Sequence, residues 1–112
     1  MRELAAEAFV MAPREIAPGL HDVVAELARR AGFAPRVAQE AIQMQTVVSL
    51  VSSGMGVAVV PASVANLGRR GVAYREIADA HPRLDLWLVW RSGALGTAAA
   101  REFVLHARRI AR

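Results

Sequence analysis

Three histidines (His21, His81 and His106), the adjacent Ser52 and Ser53, and carboxylates such as Glu40 and Glu76 are the side chains of this 112-residue chain with the chemistry of a base, a nucleophile or a metal ligand. Their spacing assembles no such centre. Each histidine stands alone, without the short interval that brings two ligands together, so surface or helix-end positions account for them. The serines precede Gly54 at the end of a helical pattern, with no G-x-S-x-G turn to expose a nucleophile. No phosphate-binding glycine loop occurs, and Glu40 and Glu76 give no carboxylate-pair signal. With no cysteine in the chain, disulfides and thiolate metal sites are excluded. These observations predict no enzyme, no cofactor and no metal.

Non-covalent recognition is the chemistry left. Arg14, Gln43, Gln45 and Thr46 are candidate contacts for a small anionic ligand, because each falls where a short apolar run hands over to a helical pattern. Plainer readings stand beside these. Arg14 also reads as a solvated charge, Gln43 as a surface residue, and Thr46 as a helix N-cap that bonds only its own backbone.

The elements that must position these residues follow from the periodicity. "AFVMA", residues 8–12, is a brief apolar run stopped by Pro13 and reads as a buried strand. Leu20, Val23, Val24, Leu27, Ala28 and Ala31 recur at helical spacing opposite Asp22, Glu26, Arg29 and Arg30, which predicts an amphipathic helix closed by Gly32. "PRVAQEA", 35–41, reads as a second strand, and Val47, Leu50 and Val51 as the stripe of a second helix ended by Gly54. "GVAVV", 56–60, is apolar on both faces, as a central parallel strand covered by helices should be. Strand and helix alternate, so the expected fold class is α/β, a mostly parallel sheet with helices on both faces. Ligands of such sheets bind beyond the carboxyl ends of the strands. There three helix N-termini would offer free amides to an anion, each contributing about 0.3–1 kcal/mol.

Further along, "ASVAN" reads as a helical turn and 72–77 as an edge strand. "LDLWLVWR", 84–91, is the most regular alternation in the chain, with Leu84, Leu86, Leu88 and Trp90 on one face and Trp87 and Val89 on the other. A final helix is predicted from about Thr97, with Ala100, Phe103, Val104, Ala107 and Ile110 as its apolar stripe.

A hydrophobic fraction of 54% with 21% charged residues excludes a disordered tail, and no apolar run approaches the ~18 residues of a membrane span. Acidic residues stand near the N-terminus where a signal peptide needs an apolar core, which predicts a cytoplasmic protein. The net charge of +4 rests on 14 basic residues, all arginine and scattered along the chain. A nucleic-acid surface would gather them into a stripe with aromatics, so no direct DNA contact is expected.

"LVSSGMGVAVVPAS", 50–63, resembles the L-V-x-x-G-x-G-v-a-l-v-P signature in the effector-binding region of LysR-type transcriptional regulators. "AFVMAP", "ELARRAGFAPRVAQEA" and "GVAYREI…LDLWLVWRSGALGTAAAREFV" resemble flanking parts of that region in the right order, and the likeness spans essentially the whole chain. It implies a periplasmic-binding-protein-like (type II) half domain, with 1–83 as the second subdomain and 84–112 as a strand and helix that return to a first subdomain. It also adds Pro35, Arg36 and Val37 to the effector contacts.

A winged helix-turn-helix, a linker helix and a first subdomain have no counterpart in this sequence. Measured against the family, it reads as a fragment, and DNA binding is expected only through a winged helix-turn-helix outside it. The resemblance further implies a small-molecule effector, expected to be a carboxylate, and a homo-oligomer built through the 20–31 helix and its adjoining strand. The apolar faces of 84–91 and the last helix must fold back, pair with another copy or stay exposed. A solute-binding protein of a transporter shares the architecture and is the alternative reading.

Overall fold

Ala8–Met11 (β1) and Arg36–Glu40 (β2) are the paired strands of the computed structural model, which describes residues 1–111. They run parallel with Ala8 opposite Arg36 and Met11 opposite Glu40, and a register shift between Phe9 and Val10 leaves Ala38 as the extra residue of β2. On the other side of β1 the 56–60 run joins through one parallel rung. The Val57 N–H donates to the Ala8 carbonyl and the Val10 N–H to the Val57 carbonyl, both at 2.8 Å. The expected parallel order is present with β1 in the centre, but the third ladder stops at this rung, so 56–60 is not a full strand.

Two helices make the crossovers, α1 (Pro18–Arg30) and α2 (Met44–Ser52). The first opens ahead of its apolar stripe because Pro18, with its fixed φ and missing N–H, suits the first helical position. Both close in the same way. The Phe33 N–H reaches the Ala28 carbonyl and the Gly32 N–H the Arg29 carbonyl, each at 3.0 Å, while Met55 reaches Leu50 at 3.1 Å and Gly54 reaches Val51 at 3.0 Å. Such a double closure needs a left-handed residue, supplied by Gly32 (φ 86°) and Gly54 (φ 85°). Gly56 acts through space instead. A Cβ there would run into the Ala8 carbonyl, standing 2.8 Å from its carbon, so the bare backbone is what lets Val57 reach β1.

Alternation along the sheet divides the core between two faces. Phe9 and Met11 pack on Val24 of α1, joined by Leu20, Phe33, Val57 and Val59, with the Phe9 and Phe33 ring centroids 6.0 Å apart. Val10 packs with Ala41 and Val47, joined by Leu50, Val51, Ala58 and Val60. One helix therefore covers each face, which is why the 56–60 run is apolar on both. Phe9, Val10 and Val47 are fully buried, each contributing roughly 1.5–3 kcal/mol.

Beyond this core two expected strands do not form. Residues 72–77 and 84–91 enter no ladder, and Leu86, Trp87 and Val89 are 98%, 82% and 81% exposed. Alternation decides which side chains share a face, but a strand also needs a neighbouring backbone, and no described segment lies alongside. Helix α3 (Ala98–Ile110) forms as predicted, the Thr97 hydroxyl accepting the Ala100 N–H at 3.1 Å as an N-cap. Of its stripe Val104 is buried while Phe103 and Ile110 stay exposed. The Arg108 guanidinium lies 5.9 Å from the centroid of the Trp90 ring, so helix and extended segment touch each other. A radius of gyration of 17.1 Å, against about 13 Å for a compact domain of this size, records the projecting arm.

Candidate functional site

Because β1, β2 and the Val57 segment run parallel, the joints that follow them lie at one edge of the sheet. The second joint is the start of α2. Gln43 caps α2 with extended backbone (φ −93°, ψ 138°) and makes no side-chain capping bond. The first intrahelical bond runs from the Val47 N–H to the Gln43 carbonyl at 3.0 Å, so the amides of Met44, Gln45 and Thr46 have no intrahelical acceptor. Thr46 thus lies inside the first turn, exposed, and is not the N-cap. After Pro61 the third joint leads into a 3₁₀ turn, Ala62–Leu67. Two α-helix N-termini face the edge, where three were expected.

Between that turn and α2 lies an open groove of about 440 Å³ lined by Gln43, Met44, Gln45, Ser63, Val64 and Leu67. It offers neutral amide and hydroxyl groups beside apolar side chains, with no charged group in its lining. Gln43 and Gln45 are brought together here. Ser63, which follows the third strand run, also lines the groove; its signal in the sequence is the equivalence of the third joint to the first two.

The remaining candidates stand elsewhere. Arg14 sits at the first joint but outside the groove, its Nε donating to Asp22 Oδ1 at 3.1 Å in an exposed ion pair that contributes little to stability. Pro35 and Arg36 are at the amino end of β2, and the Arg36 guanidinium reaches the Ala6 carbonyl at 3.5 Å. Val37 faces Phe9. At about 3.3 Å per residue these three are roughly 10–17 Å from the carboxyl end of the strand, so the structure does not bring them to the groove.

His21 lies in the first turn of α1, and its Nδ1 is 3.1 Å from the Ala12 carbonyl. That oxygen only accepts, so Nδ1 carries the proton and the ring ties α1 to the end of β1. His106 Nδ1 accepts from Arg109 at 2.9 Å. His81 lines a second cavity, about 350 Å³, with Leu27, Arg30 and Asp79; it borders the C-terminal end of α1, away from the joints. The largest electrostatic perturbation is also remote. Hydrogen bonds from Arg29 and then Arg30 hold the Glu26 carboxyl down to about 2, with Arg29 raised in return. Among the described residues no cluster of three or more His, Cys, Asp or Glu is placed to hold a metal ion, and no helix is long and apolar enough to cross a membrane.

A parallel sheet with a helix on each face and a groove of uncharged groups at its carboxyl edge is the arrangement of a ligand-binding module. The LysR substrate binding domain family matches residues 1–112, and the chain belongs to that family. It is 48% identical over 83 residues to the HTH-type transcriptional regulator IlvR of Caulobacter vibrioides, covering 74% of this chain and 28% of that protein. Identity is 34% over 106 residues with the HTH-type transcriptional regulator YnfL of Escherichia coli (95% of this chain, 36% of that protein). It is 32% over 105 residues with the HTH-type transcriptional regulator CatR of Pseudomonas putida (94% and 36%). The chain spans about a third of the length of these relatives. They are transcriptional regulators, not enzymes.

Proposed function

We propose that this chain is one wall of the effector-binding cleft of a LysR-type transcriptional regulator and that the groove at the start of α2 receives a small carboxylate metabolite. In this reading the architecture is a periplasmic-binding-protein-like (type II) half domain. Residues 1–83 form the second subdomain, and 84–112 form the arm that returns to a first subdomain. The effector contacts are Gln43, Gln45, Thr46 and Ser63, with Arg14 at the rim of the same edge. Pro35, Arg36 and Val37 are left out because of their distance from it. DNA is reached only through a winged helix-turn-helix outside this sequence, in a cytoplasmic homo-oligomer.

The observation that carries the reading is the coincidence of groove and uncapped helix start. The free amides of α2 and its dipole favour an anion, Gln43, Gln45 and Ser63 supply further polar partners, and Met44, Val64 and Leu67 accommodate an apolar portion. A solute-binding role is less well supported, since the relatives are transcriptional regulators.

NMR titration of the chain with aromatic, dicarboxylic and amino acids tests the proposal. Shift changes are expected at the amides of 43–46 and at Ser63, with affinity weaker than micromolar because one wall makes only part of the contacts. Changes centred on 35–37, or sub-micromolar binding by calorimetry, would refute it.

A further inference from the structure

We propose, resting on the reading of the carboxyl edge as the effector site, that Asp22 is a positioning residue for the effector carboxylate. It acts through Arg14, holding the guanidinium by Nε and leaving the terminal amino groups to grip the anion. Because β1 lies between β2 and the Val57 segment, the first joint rises between the second and the third, whose residues line the groove. The Ala41 N–H, donating to the Met11 carbonyl at 3.1 Å, ties the second joint to the end of β1. On these joints (12–17, 41–43 and 61) Arg14 is the one basic residue.

Two successive side chains near the start of α1 hold the first joint. His21 Nδ1 donates to the Ala12 carbonyl at 3.1 Å, and Asp22 Oδ1 accepts from Arg14 Nε at 3.1 Å. Between them the Pro13 carbonyl accepts the N–H groups of Ile16 and Ala17 at 3.1 and 3.0 Å, so the backbone carrying Arg14 is closed into a turn. The grip on Arg14 is one-sided. Arg29 meets Glu26 through both Nε and Nη2, whereas Nε is the nitrogen through which Arg14 hydrogen-bonds among the described residues. Nη1 and Nη2 remain for a carboxylate, which a planar pair of this kind grips with two parallel bonds. A loose arginine would have to be ordered on binding, and one already held through Nε avoids that cost. A plain surface ion pair makes the opposite prediction. Glu15 and Asp22 outnumber Arg14 at this joint, so by charge alone deleting Asp22 tightens anion binding, while deleting an orienting partner weakens it.

NMR titration of the full chain with isobutyrate, and with uncharged isobutyramide as its control, provides the test. Arg14→Gln should weaken isobutyrate binding about tenfold and leave isobutyramide unchanged. Asp22→Ala should weaken isobutyrate about three- to tenfold, and Asp22→Glu should restore most of the loss. In a chain that already carries Arg14→Gln, Asp22→Ala should do nothing further. Both side chains are exposed, 67% and 55%, so the unfolding midpoints of all variants should match that of the unaltered chain. Tighter or unchanged isobutyrate binding in Asp22→Ala, or additive losses in the double variant, overturns the proposal while shifts at the amides of 43–46 still support the groove. No shift at 43–46 in the unaltered chain would instead remove the groove reading, and the role of Asp22 with it.

Discussion

Phe9 in β1 and Leu86 in the C-terminal segment both belong to short extended apolar runs, yet Phe9 is 0% exposed and Leu86 98%. The difference is not one of residue type or pattern. β1 has a backbone neighbour on each side, β2 and Val57, and a helix over each face. Segment 84–91 pairs with no strand, and α3 meets it at Trp90. An apolar alternation states what must be buried, and the supply of partners decides whether it is. The chain thus divides into a packed front, where sheet and crossover helices satisfy one another, and an arm in which Val104 is the buried side chain among the described residues.

The sharpest way to break this comparison is to truncate one aromatic in each region and follow urea unfolding. Phe9→Ala is expected to cost about 3–5 kcal/mol and Phe103→Ala less than about 0.5 kcal/mol. Comparable losses would show that the arm is as well packed as the front. Next in size is Gly56→Ala. The added methyl meets the Ala8 carbonyl, a backbone group that cannot swing away, so a loss of about 1–3 kcal/mol is expected. Hydrogen exchange should place the damage at the Val10 and Val57 amides, and an unchanged exchange rate there would contradict the rung they form.

Thr97→Ala sharpens the comparison from the arm's side. Losing the cap should cost α3 about 1 kcal/mol of local stability, seen as faster amide exchange within 98–110. The unfolding midpoint of the front should not move, and a shift there would mean that the two regions unfold as one. The smallest effect concerns pH. The folded value of Glu26, about 2, lies below its ordinary 4.5. Its ion pairs therefore stabilise the front above the ordinary value, and that contribution fades as pH falls from there through about 2. The Glu26 carboxyl resonance should titrate near the lower value and move upward in Arg29→Ala; identical titration in both proteins would remove Arg29 as the cause.

Much of the helix and core pattern was legible in the sequence because its signals are local. Gly32 and Gly54 each terminate a helix, Thr97 begins one, and "GVAVV" is apolar on both faces because two helices cover it. Where partners were needed, the pattern misled. The 84–91 run alternates more regularly than β1 but has no strand beside it, and 72–77 likewise finds no edge to join. The candidate site was half legible. Gln43 and Gln45 meet in one groove, and of the two readings offered for Thr46 the N-cap is the one that fails, because Gln43 takes that position. Arg36 and Val37 depend on the direction in which β2 runs, which places them at the far end of the strand.

The groove at the start of α2 is lined by amides, a hydroxyl, a thioether and aliphatic carbons, none of which gains or loses a proton near neutrality. Whatever settles there would be held with constant strength as the surroundings become mildly acidic or alkaline, unless the guest itself ionises. Sensitivity to acidity would have to enter from the visitor or from groups outside the groove.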